Sequence, residues 1–435
     1  MSSELVGLSG VVIVVVLLLF FRMWIGLAMA LVGSLGVLLL QGFKQACGVM
    51  GTVPYETVAY YPMAALPLFV LMGVIVGNTS IGEDLYYAAY KWVGPLRGGL
   101  ASATVLACAV FSAITGSSAT GTVLMGKVAL PQMRKYKYDD AMSSGCIVSA
   151  GTMGILIPPS VGLILYGLLT EQSVGKLFMA GFLPGLLLTT LFVIAITITT
   201  AFRPEAGPAG PKTTLKVKVA SLKRTWHITL LFLAVLGGIY KGIFTPTEAG
   251  AVGAFGAFVI AAITGQLTRK VFLAILKEAG ATSAMIFLIV IGAFIFMKFL
   301  GISKLPFALV ETINRLQMSK YLVFAGIVLL YVVLGMFLEV YSAVTFTIPI
   351  IFPVIVALGF DPIWFGVIVV LVIEMGLITP PVGMNVFILG GMTGIPLDVI
   401  FRGILPFFIA MVVCIFLVTI FPQIALYLPG LMWAG

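Results

Sequence analysis

Apolar runs of about 20 residues recur from Leu5 to Leu428 with short polar turns between them. Each is long enough for a helix across a hydrocarbon core of ~30 Å. The runs predict crossings near 5–21, 24–41, 62–80, 139–168 and 177–202, and again near 226–243, 246–266, 279–300, 362–390 and 403–428. Two further apolar stretches do not fit a simple crossing. The stretch 100–130 is interrupted by Thr115-Gly116-Ser117-Ser118-Ala119-Thr120, and 322–356 carries Glu339-Val-Tyr-Ser342-Ala343 near its middle. Both read as re-entrant hairpins that turn at mid-membrane, where irregular backbone needs protein or a wet cavity to satisfy it.

Two of the predicted crossings hold a Pro-Pro pair. One is Gly154-Ile-Leu-Ile-Pro158-Pro159-Ser-Val-Gly162, and the other is Gly376-Leu-Ile-Thr-Pro380-Pro381-Val-Gly383-Met-Asn385. Proline removes a helical hydrogen bond and clashes with the preceding turn, so each run breaks there. Paired broken helices in the two halves of a membrane protein point to a transporter's binding site.

Composition agrees with the pattern. The chain is 61% hydrophobic and 9% charged, where a soluble domain carries about a quarter charged residues. It is an all-α polytopic membrane protein by this reading. The segment 6–21 follows Glu4 rather than a basic start and lacks a small-x-small cleavage pattern, so it reads as a first membrane helix and not a signal peptide. Cys47, Cys108, Cys146 and Cys414 show no metal or redox spacing and read as small packing residues.

The net charge of +9 does not signal nucleic acid, because the basic residues sit in short loops between apolar runs. Arg22, Lys91, Arg97, Arg134, Lys135 and Lys137 can share one side with the linker residues Lys212, Lys216, Lys218, Lys223 and Arg224. The positive-inside rule makes that side cytoplasmic and puts both termini outside. Lys304, Arg315 and Lys320 fall outside, so the rule is softer in the second half. The Pro/Gly-rich stretch 203–225 divides the chain into halves, 1–202 and 226–435. With about five crossings each, the second half is inverted relative to the first. Ordered matches support a repeat: Gly33 with Gly256, Ser118 with Ser342, Pro131 with Pro353, Asp139 with Asp361, and Pro158 with Pro380, at spacings of 222 to 224 residues.

Chemistry is expected where helices are interrupted. Free N–H groups at a half-helix start favour an anion, and free carbonyls at a half-helix end suit a hard cation such as Na⁺. Candidate Na⁺ ligands are Ser117, Ser118, Thr120 and Gly151 in one set and Glu339, Ser342, Gly376 and Thr379 in the other. Candidate substrate contacts are Gly116, Ser117, Thr152, Pro158, Pro159, Tyr341, Ser342, Pro381 and Asn385. Small residues also serve tight helix packing, which is the competing use of Gly-Ser-Ser-Ala-Thr.

Three acids stand inside apolar runs, where a charge costs ~2.5–3.5 kcal/mol on insertion scales: Glu248, Glu339 and Glu374. Glu248 follows Pro246 and reads as a helix cap. Glu374 stands ready to coordinate a cation, cap backbone N–H groups or carry a proton. His227 reads as an interfacial residue. The segments 83–97, 268–278 and 304–320 read as interfacial helices or arms bracing a moving domain. Gly121-Thr-Val-Leu-Met-Gly126-Lys127-Val128 nearly spells a phosphate loop, but no Ser or Thr follows the lysine and no strand precedes it. No zinc or nucleophile motif appears, so an intramembrane enzyme is disfavoured.

Together these motifs resemble the large membrane subunit of tripartite ATP-independent periplasmic (TRAP) transporters. The resemblance is carried by Gly116-Ser-Ser-Ala-Thr120, Pro131-Gln-Met, Tyr138-Asp139, Gly154-Ile-Leu-Ile-Pro-Pro-Ser160, Phe244-Thr-Pro-Thr-Glu-Ala249, Asp361-Pro-Ile-Trp-Phe-Gly366 and Glu374-Met-Gly-Leu-Ile-Thr-Pro-Pro-Val-Gly-Met-Asn385. It implies an elevator-type carrier in a bacterial or archaeal cytoplasmic membrane, driven by Na⁺ and importing an organic acid. It also implies two partners, a periplasmic substrate-binding protein and a small membrane subunit of about four helices, with lipid around them. The alternative within transport is a stand-alone sodium/dicarboxylate elevator symporter. A non-transporting scaffold subunit would not need two broken helices.

Overall fold

The computed structural model describes residues 2–432, apart from the side chains of Ser112 and Ala113. Among the described residues every regular element is helical. The first half holds α1 (Ser3–Phe21), α2 (Ile25–Gln41), α3 (Phe43–Ala59), α4 (Ala65–Gly77), α5 (Ile81–Val93), α6 (Gly99–Thr115), α7 (Ser118–Lys135), α8 (Asp140–Gly151), α9 (Val161–Thr170) and α10 (Val174–Phe202). The linker forms α11 (Leu215–Leu222). The second half holds α12 (Trp226–Tyr240), α13 (Pro246–Ile263), α14 (Arg269–Ser303), α15 (Leu305–Arg315), α16 (Lys320–Phe337), α17 (Val340–Ala357), α18 (Pro362–Gly376), α19 (Met384–Thr393), α20 (Leu397–Ile420) and α21 (Gln423–Leu431).

Seven of these helices are long and apolar enough to cross a membrane, and up to nine if each strongly bent pair counts as one span. Ten continuous crossings do not form. The 12-residue α8 and 10-residue α9, and likewise the 15-residue α18 and 10-residue α19, are each too short alone, because the Pro-Pro pairs end the helices midway.

Helix order is duplicated. α1 and α12 begin at Ser3 and Trp226, 223 residues apart; α7 and α17 begin at Ser118 and Val340, 222 apart; α9 and α19 begin at Val161 and Met384, 223 apart. Packing is exchanged in the same sense. α2 lies on α14 while α13 lies on α4; α8 lies on α20 while α18 lies on α10; α9 lies on α17 while α19 lies on α7. Exchange of partners is what a two-fold relation between the copies produces. Small residues set the closest approaches, as expected where backbones rather than large side chains meet. A Cβ on Gly26 of α2 would lie 2.5 Å from the Leu288 carbonyl oxygen of α14.

Three local readings change. Residues 43–59 were not foreseen as an element; their polar residues Lys44, Gln45, Thr52 and Glu56 dilute the apolar pattern, yet they form α3, which meets the following helix at 62°. The piece 268–278 is not a separate interfacial helix but the start of the 35-residue α14. The linker, read from the sequence only as the boundary between the halves, is tied to the end of α5. The Trp92 indole donates to the Lys218 carbonyl at 3.1 Å, Lys218 donates to the Trp92 carbonyl at 3.2 Å, and Thr213 donates to the Lys91 carbonyl at 2.7 Å. Glu248 does cap α13: its carboxylate accepts the Thr245 N–H at 2.8 Å while its own N–H donates to the Thr245 hydroxyl at 3.3 Å. Tyr138, buried in the turn before α8, accepts the Leu100 N–H at 3.2 Å, and burial pushes its phenol up to about 12.

Candidate transport site

The first interruption follows from small and hydroxyl residues. α6 ends at Thr115, and Gly116 takes φ +60°, a conformation costly for any residue with a Cβ. Ser117 then caps α7, its hydroxyl accepting the Thr120 N–H at 3.3 Å and the Thr120 hydroxyl at 3.1 Å. The N–H groups of Ser118 and Ala119 have no partner among the described residues. Beyond α8 the chain runs through a 3₁₀ turn, Thr152–Ile155, to a cis Pro158–Pro159 bond. Ser160 restarts the helix by accepting the Leu163 N–H at 3.2 Å. Residues 151–160 are buried throughout.

The second interruption has the same plan with different residues. α16 ends at Phe337, Leu338 is extended, and Glu339 occupies the N-cap of α17 without making a side-chain cap bond. α18 ends at Gly376, and a cis Pro380–Pro381 bond precedes Gly383, whose φ is +63°. Pro380 and Pro381 are exposed.

The tips and breaks converge. The Tyr341 hydroxyl, at the start of α17, donates to the Gly116 carbonyl at 3.1 Å. A Cβ on Gly116 would lie 3.2 Å from the Pro159 carbonyl oxygen, and one on Gly162 would lie 3.1 Å from Val340. Thus Gly116, Pro159, Val161 and Tyr341, drawn from both copies, form one cluster. Gly151 completes the inner wall: a Cβ there would collide with the Thr122 hydroxyl and lie 3.0 Å from the Ser118 carbonyl oxygen. Thr122 itself donates to that carbonyl at 3.0 Å.

Glu374 is 1% exposed, and neither carboxyl oxygen has a hydrogen-bond partner among the described residues. It therefore does not cap backbone N–H groups. The Ser118 side chain lies beside it without closing a hydrogen bond, and Glu339 is near enough to act on it electrostatically. A buried carboxyl group left without partners is costly, so its surroundings call for a proton or a cation.

Two cavities adjoin this cluster. One, of about 500 Å³, is lined by Ser117, Thr120 and Lys127 of α7, by Glu339 and Tyr341, and by Asn78 and Glu278 on the wall made by α4 and α14. Asn78 donates to Glu278 at 2.9 Å. The other, of about 580 Å³, is lined by Trp24, α14 residues, Glu339 and Ser342. Glu339 and Met285 belong to both.

The sequence-predicted residues divide accordingly. Gly116, Ser117, Ser118, Thr120, Gly151, Pro159 and Tyr341 come together at the first tip. Glu339 and Ser342 face the second cavity. Thr152 is buried and donates to the Ser149 carbonyl at 2.6 Å. Pro158 is buried beside Pro159. Gly376 packs against α16, where a Cβ would lie 2.7 Å from the Gly335 backbone, and Thr379 donates to the Met375 carbonyl at 2.6 Å. Asn385 is 1% exposed, with its side-chain NH₂ unpartnered among the described residues. Gly376, Thr379, Pro381 and Asn385 line neither cavity.

Sequence reasoning passed over Thr122, Asn78 and Glu278, which owe their place to helix packing alone. It met Lys127 only as the end of a failed phosphate loop. Among the described residues no three His, Cys, Asp or Glu side chains gather to hold a metal. The donors at the first tip are hydroxyls and carbonyls, a set that suits a hard alkali cation and not a transition metal.

Residues 12–424 match the family described as the tripartite ATP-independent periplasmic transporter, DctM component. The chain is 37% identical over 382 residues, 88% of each protein, to the C4-dicarboxylate TRAP transporter large permease protein DctM of Pseudomonas aeruginosa. It is 32% identical over 374 residues, 85% of this chain and 87% of the relative, to the sialic acid TRAP transporter large permease protein SiaM of Vibrio cholerae. In fold it is similar to the Alcanivorax borkumensis YdaH transporter, with a TM-score of 0.63 at 14% identity, covering 90% of this chain and 89% of that one. With the family match spanning nearly the whole chain, and with tips, breaks and apolar helices in place, this multi-pass inner-membrane protein belongs to the TRAP transporter family as its DctM-type large permease.

Proposed function

We propose that this chain carries a small organic acid into the cell together with Na⁺, by moving its hairpins and broken helices as one body against α1–α4 and α12–α14. The observation that carries this reading is the Tyr341–Gly116 bond, which ties the two hairpin tips together over the Pro158–Pro159 break and beside the 500 Å³ cavity. The unpartnered N–H groups of Ser118 and Ala119 suit the substrate's carboxylate or sulfonate. Ser117, Ser118, Thr120 and Gly151 would hold one cation, and Glu339 with Ser342 would hold another, with Gly376 and Thr379 joining them after a shift of the second break.

Coupling follows from charge. An organic anion arriving at the tip meets the carboxyl groups of Glu339 and Glu374. A cation bound there relieves that repulsion, so cation and anion favour each other's binding, and by linkage the effect is reciprocal. In this scheme the halves 1–202 and 226–435 are inverted copies. The termini lie on the periplasmic side and the linker 203–225 on the cytoplasmic side, as the loop charges favour. A periplasmic binding protein delivers the substrate, and a small membrane subunit completes the permease. C4-dicarboxylates and sialic acids, the substrates named for the relatives, define the range to try first.

Reconstitution in proteoliposomes with both partners, a panel of organic acids, and an imposed or collapsed Na⁺ gradient tests the reading. Accumulation only with inward Na⁺ and only with both partners is expected. Uptake indifferent to Na⁺ removes the coupling. Uptake that persists without the partners favours a stand-alone symporter instead.

A further inference from the structure

We propose that Lys127 supplies the counter-charge for a second anionic group on the transported acid, so that the cavity at the first tip selects dianions over monoanions. This rests on the reading above that the organic acid binds in that cavity.

Ser117, Thr120 and Lys127 line the cavity together from α7, Thr120 and Lys127 standing seven residues, or two turns, apart on one face. Among the described residues the Lys127 ammonium has no ion-pair partner. The ion pairs among the described residues are Arg134–Asp140, Arg224–Asp84, Arg315–Glu311 and Arg402–Asp398, and none includes Lys127. Two acids line the same cavity: Glu278 accepts a hydrogen bond from Asn78, and Glu339 stands at the start of α17; neither forms an ion pair with Lys127 among the described residues.

The duplicated fold does not require a charge here. Lys127 lies nine residues past the start of α7, and the residue nine past the start of α17 is Pro349. The failed phosphate loop of the sequence, Gly121 to Lys127, thus ends in a lysine that faces a cavity from within a hairpin. Lys127 is exposed in this arrangement, so water solvates its ammonium group; a site that loses water on closing would leave that charge to be matched by an anion.

Spacing sets the ligand. Ala119, whose N–H is unpartnered among the described residues, lines the cavity and stands about 12 Å from Lys127 along the helix axis at 1.5 Å per residue. Helical side chains tilt toward the N-terminus, which brings the ammonium back toward the tip. Two anionic groups a few carbons apart bridge that span. A monoanion of the same length leaves the ammonium without a partner.

The test uses the full chain purified with its small membrane subunit. Thermal-shift titrations in Na⁺ compare succinate, malate and glutarate with butyrate and isethionate, for wild type, Lys127→Gln and Lys127→Arg. In wild type at least one dianion should bind more tightly than either monoanion. Lys127→Gln should weaken that dianion by about tenfold or more, equivalent to 1.4 kcal/mol per tenfold, and leave monoanion binding unchanged. Lys127→Arg should restore most of the loss. A dianion affinity indifferent to Lys127→Gln, or a monoanion bound as tightly as any dianion, overturns the proposal. Failure of every acid to stabilise wild type in Na⁺ instead removes the transport site on which it rests.

Discussion

The two Pro-Pro breaks hold equivalent places in the duplicated chain, yet one is sealed and the other is open. Pro159 is buried and lines a small pocket with Met72 of α4 and with Leu231, Phe232 and Val235 of α12. Pro380 and Pro381 are exposed. The scaffold shows the same imbalance. Leu231 and Val235 are 8% and 2% exposed, whereas their counterparts 223 residues earlier, Leu8 and Val12 of α1, are 48% and 54% exposed. The counterpart pairing, the second break with α1 of the first half, therefore has both of its surfaces exposed and apart from each other. The breaks share a glycine and, four residues on, a Pro-Pro pair, but they stand differently against the flanking helices. The elevator motion proposed above would exchange the two arrangements.

Four experiments break or sharpen this comparison. The largest effect is expected at the sealed break. Ser118→Phe puts a large ring beside Glu374 and Gly151, and should abolish Na⁺-driven uptake while the protein still reaches the membrane. Thr379→Phe, at the open break, should also abolish uptake but leave the melting temperature near wild type. Wild-type uptake in either variant refutes the cation assignments of that break.

Cysteine pairs test the exchange directly, in a background lacking the exposed Cys47. Pro159→Cys with Leu231→Cys should cross-link readily in the arrangement described here. Pro381→Cys with Leu8→Cys should cross-link during turnover and stop transport. If the second pair never reacts under any combination of Na⁺, substrate and partners, the two breaks do not trade places.

Stability should separate the breaks by smaller amounts. Gly376→Ala forces a methyl group toward the Gly335 and Val332 backbones, 2.7 Å away, which cannot yield without moving α16. Gly151→Ala meets the Thr122 hydroxyl, which can rotate. Both should destabilise within the ~1–3 kcal/mol typical of overpacking, with Gly376→Ala the greater by thermal unfolding. The reverse order would mean that the first break is the more rigid. Tyr341→Phe should have the least effect. It removes the Tyr341–Gly116 hydrogen bond between the tips, worth about 1 kcal/mol, and should lower uptake a few-fold without loss of protein. An unchanged rate would show that the tips are held together by packing alone.

Much of this architecture was legible before any coordinates. Polar and small residues at 115–120 marked the first tip, and Glu339 marked the second, because both interrupt otherwise apolar runs. The Pro-Pro pairs ended α8 and α18 close to where proline's missing donor requires it. Glu248 was readable as a cap because the capping box is local. α3 escaped notice because its apolar pattern is diluted and its fold depends on the helices that flank it. The site was legible as a set of segments rather than as contacts. Local signals singled out Ser117, Ser118, Thr120 and Tyr341, which the structure brings together at the first tip, while the approach of Gly151 to Thr122 and of Asn78 to Glu278 joins residues that no spacing connects.

What the amino-acid order determined by itself was the membrane habit and the points of interruption, since apolar length and missing proline donors act within a few residues along the chain. What only tertiary structure decided was which interruption is sealed, that Glu374 is left without a hydrogen-bond partner among the described residues, and that Lys127 overlooks a cavity. Those outcomes depend on how helices distant in sequence come to rest against one another, and small shifts of a packed body change them without altering a single local preference.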